Sequence, residues 1–378
     1  MAEAAPPPEP DRVGDLPHPR ETLALFGQGA AEAAFLDAWA AGRLHHAWLI
    51  SGPRGVGKAT LAYRIARARL AADDGDGLFG GSGAPETLVL DAGHPVAHRV
   101  AAGSEPRLFV LRRMADEKTG RVSAQIRVDD VRRLKNFFQL SAADGGWRVA
   151  IVDAAEEMNQ AAANALLKLL EEPPPRALLL LVCHAPARLL PTIRSRCRRL
   201  KLSPLGPADL SAALAAAGVE PGEAPEALAL LADGAAGEAA RLMALDGPRL
   251  YVRLVKLAEG APGMDRQTMI ALADACGGRE GAEIFDITIR LFDILLARLA
   301  RAGASAGASS EEAVKGETAV FVHLAPDEAA ARIWADLSAE TQEKAARARA
   351  VNRDPAMVML DMFFAFDAAA RKIRARIV

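Results

Sequence analysis

Residues 51–60 read Ser-Gly-Pro-Arg-Gly-Val-Gly-Lys-Ala-Thr and separate an apolar run at 47–50 from a helical pattern that begins at Leu61. A short strand, a glycine-rich loop and a helix in this order turn backbone N–H groups and a helix N-terminus toward a phosphate chain. The lysine adds a point charge beside the phosphates. The stretch therefore predicts a phosphate-binding loop. Its candidate nucleotide-binding residues are Gly52, Gly55, Gly57, Lys58 and Thr60.

The residue that follows Lys58 departs from the loop pattern. That pattern places serine or threonine directly after the lysine, where the hydroxyl binds Mg²⁺. This chain has Ala59 at that position, and Thr60 comes one residue late. The loop could hold ATP or ADP, but it is poorly equipped to hydrolyse either nucleotide.

A further candidate nucleotide residue, Asp153, ends a β-branched and apolar run at 147–152. In phosphate-loop ATPases an aspartate at this place orients the Mg²⁺ shell, and a glutamate directly after it polarises the attacking water. Here the next residue is Ala154, and Glu156 would need an unusual backbone path to replace the missing glutamate. Two interpretations of Asp153 stay open: a contact with nucleotide or Mg²⁺, and a cap on the following helix.

Two later segments also bear on hydrolysis. The apolar strand predicted at 177–183 ends in Cys183, where an ATPase of this type would carry a polar residue that senses the γ-phosphate; a buried small residue is the favoured interpretation. Four arginines then fall within six residues, at 194–199. From composition alone they could form a solvated turn, face a phosphate, or supply an arginine finger to a neighbouring subunit.

Length, charge and cysteine usage limit the class of protein. The 378 residues carry a net charge of −2, which argues against strong non-specific binding of nucleic acid by the isolated chain. The three cysteines are widely spaced and form no Cys-x-x-Cys pair, so we predict no zinc site and no disulfide framework, as in a reducing cytoplasm. No apolar segment approaches the roughly 20 residues that span a bilayer. Membrane insertion is therefore not expected.

The pattern of strands, helices and breakers divides the chain into four regions. They are a proline-rich flexible tail at 1–19, an α/β domain with a parallel sheet at 20–202, a small helical lid at 203–245, and an all-helical domain at 246–378. Exposed loops are expected at 71–87 and at 302–318. The segment 357–366 is apolar nearly all round, so we expect it to be buried within the helical bundle or against another subunit.

Several motifs, taken together, resemble those of the bacterial DNA polymerase III clamp-loader subunits of the AAA+ superfamily. They are Leu-Phe-Gly-Gln at 25–28, Leu-His-His-Ala-Trp-Leu at 44–49, the loop at 52–58, the segment 126–131, Asn-Ala-Leu-Leu-Lys-Leu-Leu-Glu-Glu-Pro-Pro at 164–174, and the segment 192–197, which ends in Ser-Arg-Cys. The resemblance is strong over about residues 22–202 and covers the helical remainder in outline. It implies an AAA+ type phosphate-loop domain, a helical lid, and an all-α collar at 246–378 that holds a ring of subunits together.

Departures from the motor subunits of that family, gamma and tau, favour a stator subunit that hydrolyses nothing itself. Motor subunits carry a hydroxyl, a glutamate, a polar sensor and an arginine at or near the places of Ala59, Ala154, Cys183 and Glu238. They also carry a four-cysteine zinc module after the loop helix, and this chain has no cysteine between Lys58 and Cys183. An active motor-type ATPase, with Thr60 and Glu156 covering the missing positions, is the alternative.

The resemblance also implies a role for the arginine cluster. Arg196 is expected to be an arginine finger that faces the γ-phosphate of ATP on the adjacent motor subunit, with Ser195 and Cys197 fixing its turn. The implied partners are the gamma/tau and delta subunits in a pentameric ring and, indirectly, the sliding clamp and primer-template DNA. The ring would belong to a complex with DNA-directed DNA polymerase activity, and any ATP or ADP on this chain would be bound without hydrolysis.

Overall fold

The computed structural model describes residues 12, 16–74, 84–114, 122–139, 146–220, 222, 224–277, 281–305, 311–351 and 353–377. By its internal contacts the chain forms two compact units. One unit is Met1–Gly218 with Gly234–Glu238, and the other is Val219–Asp233 with Ala239–Val378. The residues of the predicted lid at 203–245 divide between these two units.

One parallel sheet organises the first unit. Its strands are β1 (Ala47–Ser51), β2 (Leu108–Leu111), β3 (Arg148–Val152), β4 (Ala177–Cys183) and β5 (Arg198–Lys201), in the order β2-β3-β4-β1-β5. The central strand β4 is buried along its whole length. Strands covered on both faces read as continuous apolar runs, which is why β1 and β4 stand out in the sequence. The predicted α/β fold with a parallel sheet is confirmed.

Strand β5 forms one edge of the sheet, and the sequence pattern does not predict it. Arg198, Arg199 and Lys201 are exposed, and only Leu200 between them is buried. Charged side chains on an edge strand discourage pairing with another chain, so they are common there despite their low β-propensity. In register, Arg198 of β5 lies opposite Trp48 of β1, and its guanidinium carbon is 5.0 Å from the centre of the Trp48 ring.

Helices cover both faces of this sheet. The helices that lie wholly in the first unit are α1 (Gly29–Ala40), α2 (Lys58–Asp74), α3 (Pro95–Ala101), α4 (Val128–Gln139), α5 (Gln160–Glu171), α6 (Pro191–Ser195) and α7 (Pro207–Ala216). The apolar residues of α1 and α2 share one core with one face of the sheet, and those of α4 and α5 share a second core with the other face. The Asn159 side chain caps α5 by accepting from the Ala162 N–H at 2.8 Å. The prolines that begin at Pro173 prevent the helix from continuing.

The remaining helices build the second unit, and α9 begins in the first. They are α8 (Pro225–Leu231), α9 (Ala236–Ala244), α10 (Gly247–Glu259), α11 (Arg266–Asp274), α12 (Gly281–Ala304), α13 (Glu317–Leu324), α14 (Glu328–Ala350) and α15 (Pro355–Ile377). Helix α12 packs against α10, α13, α14 and α15. The predicted all-helical collar is confirmed as a helical region. None of the helices described is both long and apolar enough to cross a membrane.

The apolar segment of α15 at 357–366 is only partly buried. Met359, Met362, Phe363 and Phe366 lie in the bundle core, whereas Phe364 is 55% exposed and Met357 is 64% exposed. The bundle therefore buries one face of this segment, and Met357 and Phe364 lie outside its core. A helix on the surface of a bundle keeps one face toward solvent. That this face packs against another subunit stays a prediction.

Two predicted irregular segments are shorter than expected. His18, at the end of the predicted tail, is fully buried, with its ring edge-on to Tyr63 at 5.9 Å between centres. In the predicted loop at 71–87, residues 71–74 continue α2, and 75–83 lie outside the described residues. Most of the predicted tail, residues 1–11 and 13–15, also lies outside them.

The predicted exposed loop at 302–318 needs a larger correction. Helix α12 runs to Ala304, residues 306–310 lie outside the described residues, and α13 begins at Glu317. The Glu317 side chain is fully buried. It is buried because its carboxylate accepts hydrogen bonds from the Tyr251 hydroxyl, from the Arg298 guanidinium and from the Ala313 N–H. A composition rich in alanine, serine and glutamate gives no sign of these partners.

Candidate nucleotide loop and exposed arginine

The phosphate-loop residues lie where strand β1 ends and helix α2 begins. Gly55 and Gly57 have φ values of +83° and +95°, in the region that side chains disfavour. A Cβ at Gly57 would also lie 2.7 Å from a methyl carbon of Leu25. Glycine is therefore required at this turn, and the three predicted glycines form one loop with Lys58 at the helix start.

Lys58 points back into its own loop. Its ammonium donates hydrogen bonds to the carbonyl of Gly52 at 2.9 Å and to that of Pro53, and its side chain is buried. Burial lowers the pKa of Lys58 to about 8, although the negative charges of Glu156 and Asp153 act in the opposite direction. The lysine is therefore still mainly protonated at pH 7 and can offer a positive charge to a phosphate.

The two positions after the lysine leave helix α2 at different angles. Ala59 and Thr60 are the second and third residues of α2. Successive residues of an α-helix are rotated by about 100° around its axis. The Thr60 hydroxyl therefore leaves the helix in a different direction from the one that a hydroxyl at position 59 would take.

The backbone after β3 takes an unusual path that brings Glu156 toward the loop. Ala154 has a left-handed conformation, with φ 44° and ψ 78°, and a single 3₁₀ turn follows at Ala155–Glu157. One carboxylate oxygen of Glu156 accepts from the N–H groups of His184 and Ala185, at 2.7 and 3.1 Å. Among the negative charges that act on Lys58, that of Glu156 is the largest. The backbone after Asp153 is thus unusual, and Glu156 lies within electrostatic reach of Lys58.

Asp153 lies beside the same loop lysine, and its carboxylate also makes a local contact. One of its oxygens accepts from the N–H of Ala154 at 2.9 Å, at the start of the 3₁₀ turn. Its charge is the second negative charge acting on Lys58. Both interpretations of Asp153, a capping role and a place near a nucleotide, are compatible with these contacts.

The end of β4 carries neutral groups. Cys183 is fully buried, as predicted, and burial together with the charge of Glu156 raises the pKa of its thiol to about 12. Burial and the charge of Lys58 lower the pKa of His184 to about 4, so its ring is neutral at pH 7. Glu156 therefore faces a thiol and a neutral imidazole, and Lys58 is its cationic neighbour in this part of the site.

A short segment after α8 packs against the phosphate loop within the first unit. The N–H of Gly237 donates to the carbonyl of Gly55 at 3.2 Å, and a Cβ at Gly55 would lie 3.2 Å from the Glu238 nitrogen. The resemblance places an arginine of the motor subunits close to this point. In this chain the residue there is Glu238.

Arg196 occupies a different part of the first unit, at the end of α6 just before β5. Its side chain is 37% exposed, and its Nη2 lies 2.8 Å from the carboxylate of Glu171, the last residue of α5. Its Nη1 donates to the carbonyl of Thr192 at 3.1 Å. The hydroxyl of Ser195 donates to the same carbonyl at 3.0 Å, and Cys197 is buried, which raises the pKa of its thiol to about 12.

The pairing of Arg196 with Glu171 is the main feature of the site that sequence reasoning missed. Twenty-five positions separate the two residues, so no periodic pattern links them. One signal was present nonetheless. The helix ends in two glutamates, Glu171 and Glu172, where the negative end of a helix dipole disfavours carboxylates. A carboxylate at a helix C-terminus therefore suggests a nearby cation that stabilises it.

These features define the class of protein. A parallel sheet whose phosphate loop follows β1, with helices on both faces and a helical region after it, is the phosphate-loop α/β arrangement that the resemblance to AAA+ subunits predicts. Residues 27–206 match the family model described as "DNA polymerase III, delta subunit". Over this range, a little under half of its length, the chain is similar to DNA polymerase III subunits of the delta type.

Individual relatives carry names from the same group of proteins. The chain is 38% identical over 228 residues to DNA polymerase III subunit delta prime of Pseudomonas aeruginosa, which covers 60% of this chain and 63% of the relative. It is 30% identical over 187 residues to subunit tau of Escherichia coli, which covers 50% of this chain and 26% of that one. Both matches thus span less than two thirds of the relative.

A weaker similarity is seen with a solved structure, the gamma subunit-related protein of DNA polymerase III from Thermotoga maritima. It covers 89% of this chain and 97% of that one at 18% identity, with a TM-score of 0.39. Similarity at this level supports no further conclusion.

Proposed function

We propose that this chain is the non-hydrolysing stator of a DNA polymerase III clamp loader. In this role it joins gamma/tau and delta subunits in a cytoplasmic, pentameric ring that loads the sliding clamp on primed DNA. Its own contribution to ATP hydrolysis is Arg196, offered as an arginine finger to the ATP of a neighbouring motor subunit. The match of residues 27–206 to the delta subunit family model and the geometry of Arg196 support this proposal.

The observation that carries the proposal is the placement of Arg196. Its guanidinium is held at the surface by Glu171 and Thr192. Within the described part of the chain, the main charges acting on the loop lysine, Lys58, are those of Glu156, Asp153, Cys183 and Arg54. The Arg196 guanidinium is therefore presented at the surface. The phosphate loop of the same chain has other charged neighbours.

The chemistry of the guanidinium suits the proposed role. It is planar, always charged, and carries five N–H donors. One donor reaches the Thr192 carbonyl, and a second nitrogen forms an ion pair with Glu171, so the group keeps further N–H donors for an incoming phosphate. A guanidinium aimed at the γ-phosphate stabilises the charge that develops during phosphoryl transfer. Hydrolysis by the assembled ring carrying Arg196→Ala is the direct test.

The chain's own loop is proposed to bind ATP or ADP without hydrolysing it. Lys58 keeps a positive charge at neutral pH, and Gly55 and Gly57 give the loop the backbone that phosphate binding uses. Ala59 and Ala154 stand where hydrolysis needs a hydroxyl and a carboxylate. The loop can therefore bind a nucleotide while lacking two of the groups that hydrolysis requires.

Replacing Lys58 with alanine should lower the affinity of the chain for ATP by about 10- to 100-fold. A hydrogen bond from an ammonium to a charged phosphate contributes about 1.5–3 kcal/mol, which corresponds to that range. Titration with a fluorescent ATP analogue measures the affinity. Lys135→Ala, at an exposed position of α4, is the matched control and should bind like the wild type. Equal affinity of the Lys58 variant and the wild type would contradict the proposed site.

The same titration should depend on pH in a defined direction. The pKa of Lys58 is lowered to about 8, so its charge is present below that pH and is lost as pH rises through it. Nucleotide phosphates are already ionised above pH 7. Affinity should therefore fall between pH 8 and 9, by at most about tenfold per pH unit for one proton. The Lys58→Ala variant should lack this dependence, and a flat wild-type profile would speak against a phosphate contact by Lys58.

A second candidate function, an active ATPase, is favoured by one observation. The left-handed Ala154 brings Glu156 into electrostatic reach of Lys58, and only one of its two carboxylate oxygens accepts the backbone N–H groups. If Glu156 activates water, purified chain should turn over ATP, and Glu156→Gln and Lys58→Ala should each abolish the turnover. The stator proposal expects no turnover in any of the three proteins.

A further inference from the structure

The contact between Arg196 and Glu171 joins two elements that are far apart in sequence. Glu171 is the last residue of α5, and Arg196 follows α6 directly. The carboxylate engages Nη2 of the guanidinium at 2.8 Å, while the carbonyl of Thr192 engages Nη1 at 3.1 Å. An ion pair on one nitrogen and a hydrogen bond on another restrain both the position and the plane of the guanidinium.

We infer that Glu171 is a positioning residue, which holds Arg196 in the orientation that reaches a neighbour's triphosphate. The inference rests on the finger role given to Arg196 in the proposed function. Arginine has many rotamers, and an unanchored side chain must lose that freedom when it meets the phosphate. An arginine that is already held by Glu171 and Thr192 loses less, so more of its interaction is available to the transition state.

Stability does not account for a glutamate at this position. The C-terminal end of a helix carries partial negative charge, so a carboxylate on its last residue is unfavourable. The ion pair with Arg196 is partly exposed, at 37% for the arginine and 49% for the glutamate, and pairs of this kind add little to folding stability. What the pair does supply is a defined direction for the guanidinium.

The next residue provides a matched control. Glu172 is the C-cap of the same helix and is exposed, and it forms no ion pair with any residue that the structure describes. Replacing either glutamate with glutamine removes the same charge from the same helix end. A difference between Glu171→Gln and Glu172→Gln therefore reports the contact with Arg196 and not the net charge or the helix dipole.

The experiment measures ATP hydrolysis by the assembled ring, stimulated by clamp and primed DNA, with each variant of this chain. Glu171→Gln should lower kcat at the ATP site beside this chain about two- to fivefold, the range that a partly exposed ion pair can supply. The KM for ATP should stay unchanged, because the finger acts in the transition state. Glu172→Gln should match the wild type, and Glu171→Asp should recover part of the loss. Thermal unfolding of Glu171→Gln should begin no earlier than that of the wild type.

A double variant separates positioning from a general effect. In a ring that already carries Arg196→Ala, adding Glu171→Gln should cause no further loss of kcat. An equal loss with and without Arg196, or a wild-type kcat for Glu171→Gln, would overturn the positioning role while the finger role stands. If Arg196→Ala alone leaves hydrolysis unchanged, the finger role fails, and the positioning role fails with it.

Discussion

Replacing Arg196 with alanine is expected to slow hydrolysis of the ATP beside this chain by roughly 10³-fold, the order of magnitude that an arginine finger contributes. In the assembled ring this ATP should appear as a slow phase in single-turnover hydrolysis, since other sites would keep their own arginines. Arg196→Lys should recover little, because an ammonium keeps the charge but lacks the planar set of donors.

The matched control for this prediction is Arg199→Ala. Arg199 is an exposed arginine of the same cluster, on strand β5, and its loss changes the net charge by the same amount. A ring with this variant should hydrolyse like the wild type. Hydrolysis by the Arg196→Ala ring in a single phase at the wild-type rate would contradict the finger role, whatever the state of the chain's own loop.

Replacing Glu317 with alanine is expected to destabilise the second unit by about 3–5 kcal/mol, the usual cost of removing one partner from a buried ion pair. The Glu317 carboxylate accepts from Arg298 Nε at 3.1 Å and Nη2 at 2.8 Å, and from the Tyr251 hydroxyl. Burial and Glu317 raise the pKa of Tyr251, so this hydroxyl stays a donor. Without the carboxylate, Arg298 would be a buried cation whose main counter-charge is gone.

Hydrogen exchange is the suitable measurement, because a chain of two units need not unfold in one step. Amides of α13 should exchange faster in Glu317→Ala. The increase in exchange rate should correspond to the expected loss of stability of the second unit. The control is Glu328→Ala, which removes an exposed partner of Arg332 at 2.6 Å and should cost at most about 1 kcal/mol. Unchanged protection of α13 in Glu317→Ala would show that the buried contacts are not stabilising.

The parts of the fold that the sequence predicts well are those in which neighbouring residues carry the signal. The loop at 51–60 lies within ten consecutive residues, and β4 is an uninterrupted apolar run. Glycine conformation and the burial of apolar strands depend on neighbouring residues, so both can be predicted from short stretches of sequence. The parallel sheet then follows from the alternation of strands and helices.

The parts that could not be predicted depend on residues that are distant in sequence. Strand β5 is mostly basic, so its composition indicates a solvated turn and not a strand. Ala154 adopts a left-handed backbone conformation that alanine rarely takes. No sequence pattern predicts the position that Glu156 takes as a result. Burial of Glu317 requires Arg298 and Tyr251, which lie 19 and 66 positions away. Each of these features is a tertiary effect that overrides a local tendency.

The basic edge strand has a consequence for how copies of this protein meet. An edge strand exposes backbone donors and acceptors that a second sheet could join. Two identical edges would bring Arg198, Arg199 and Lys201 of one molecule against the same cations of another. Repulsion of this kind strengthens as ionic strength falls. Sheet-to-sheet dimers should therefore be least favourable in dilute salt, which leaves the chain available for unlike partners.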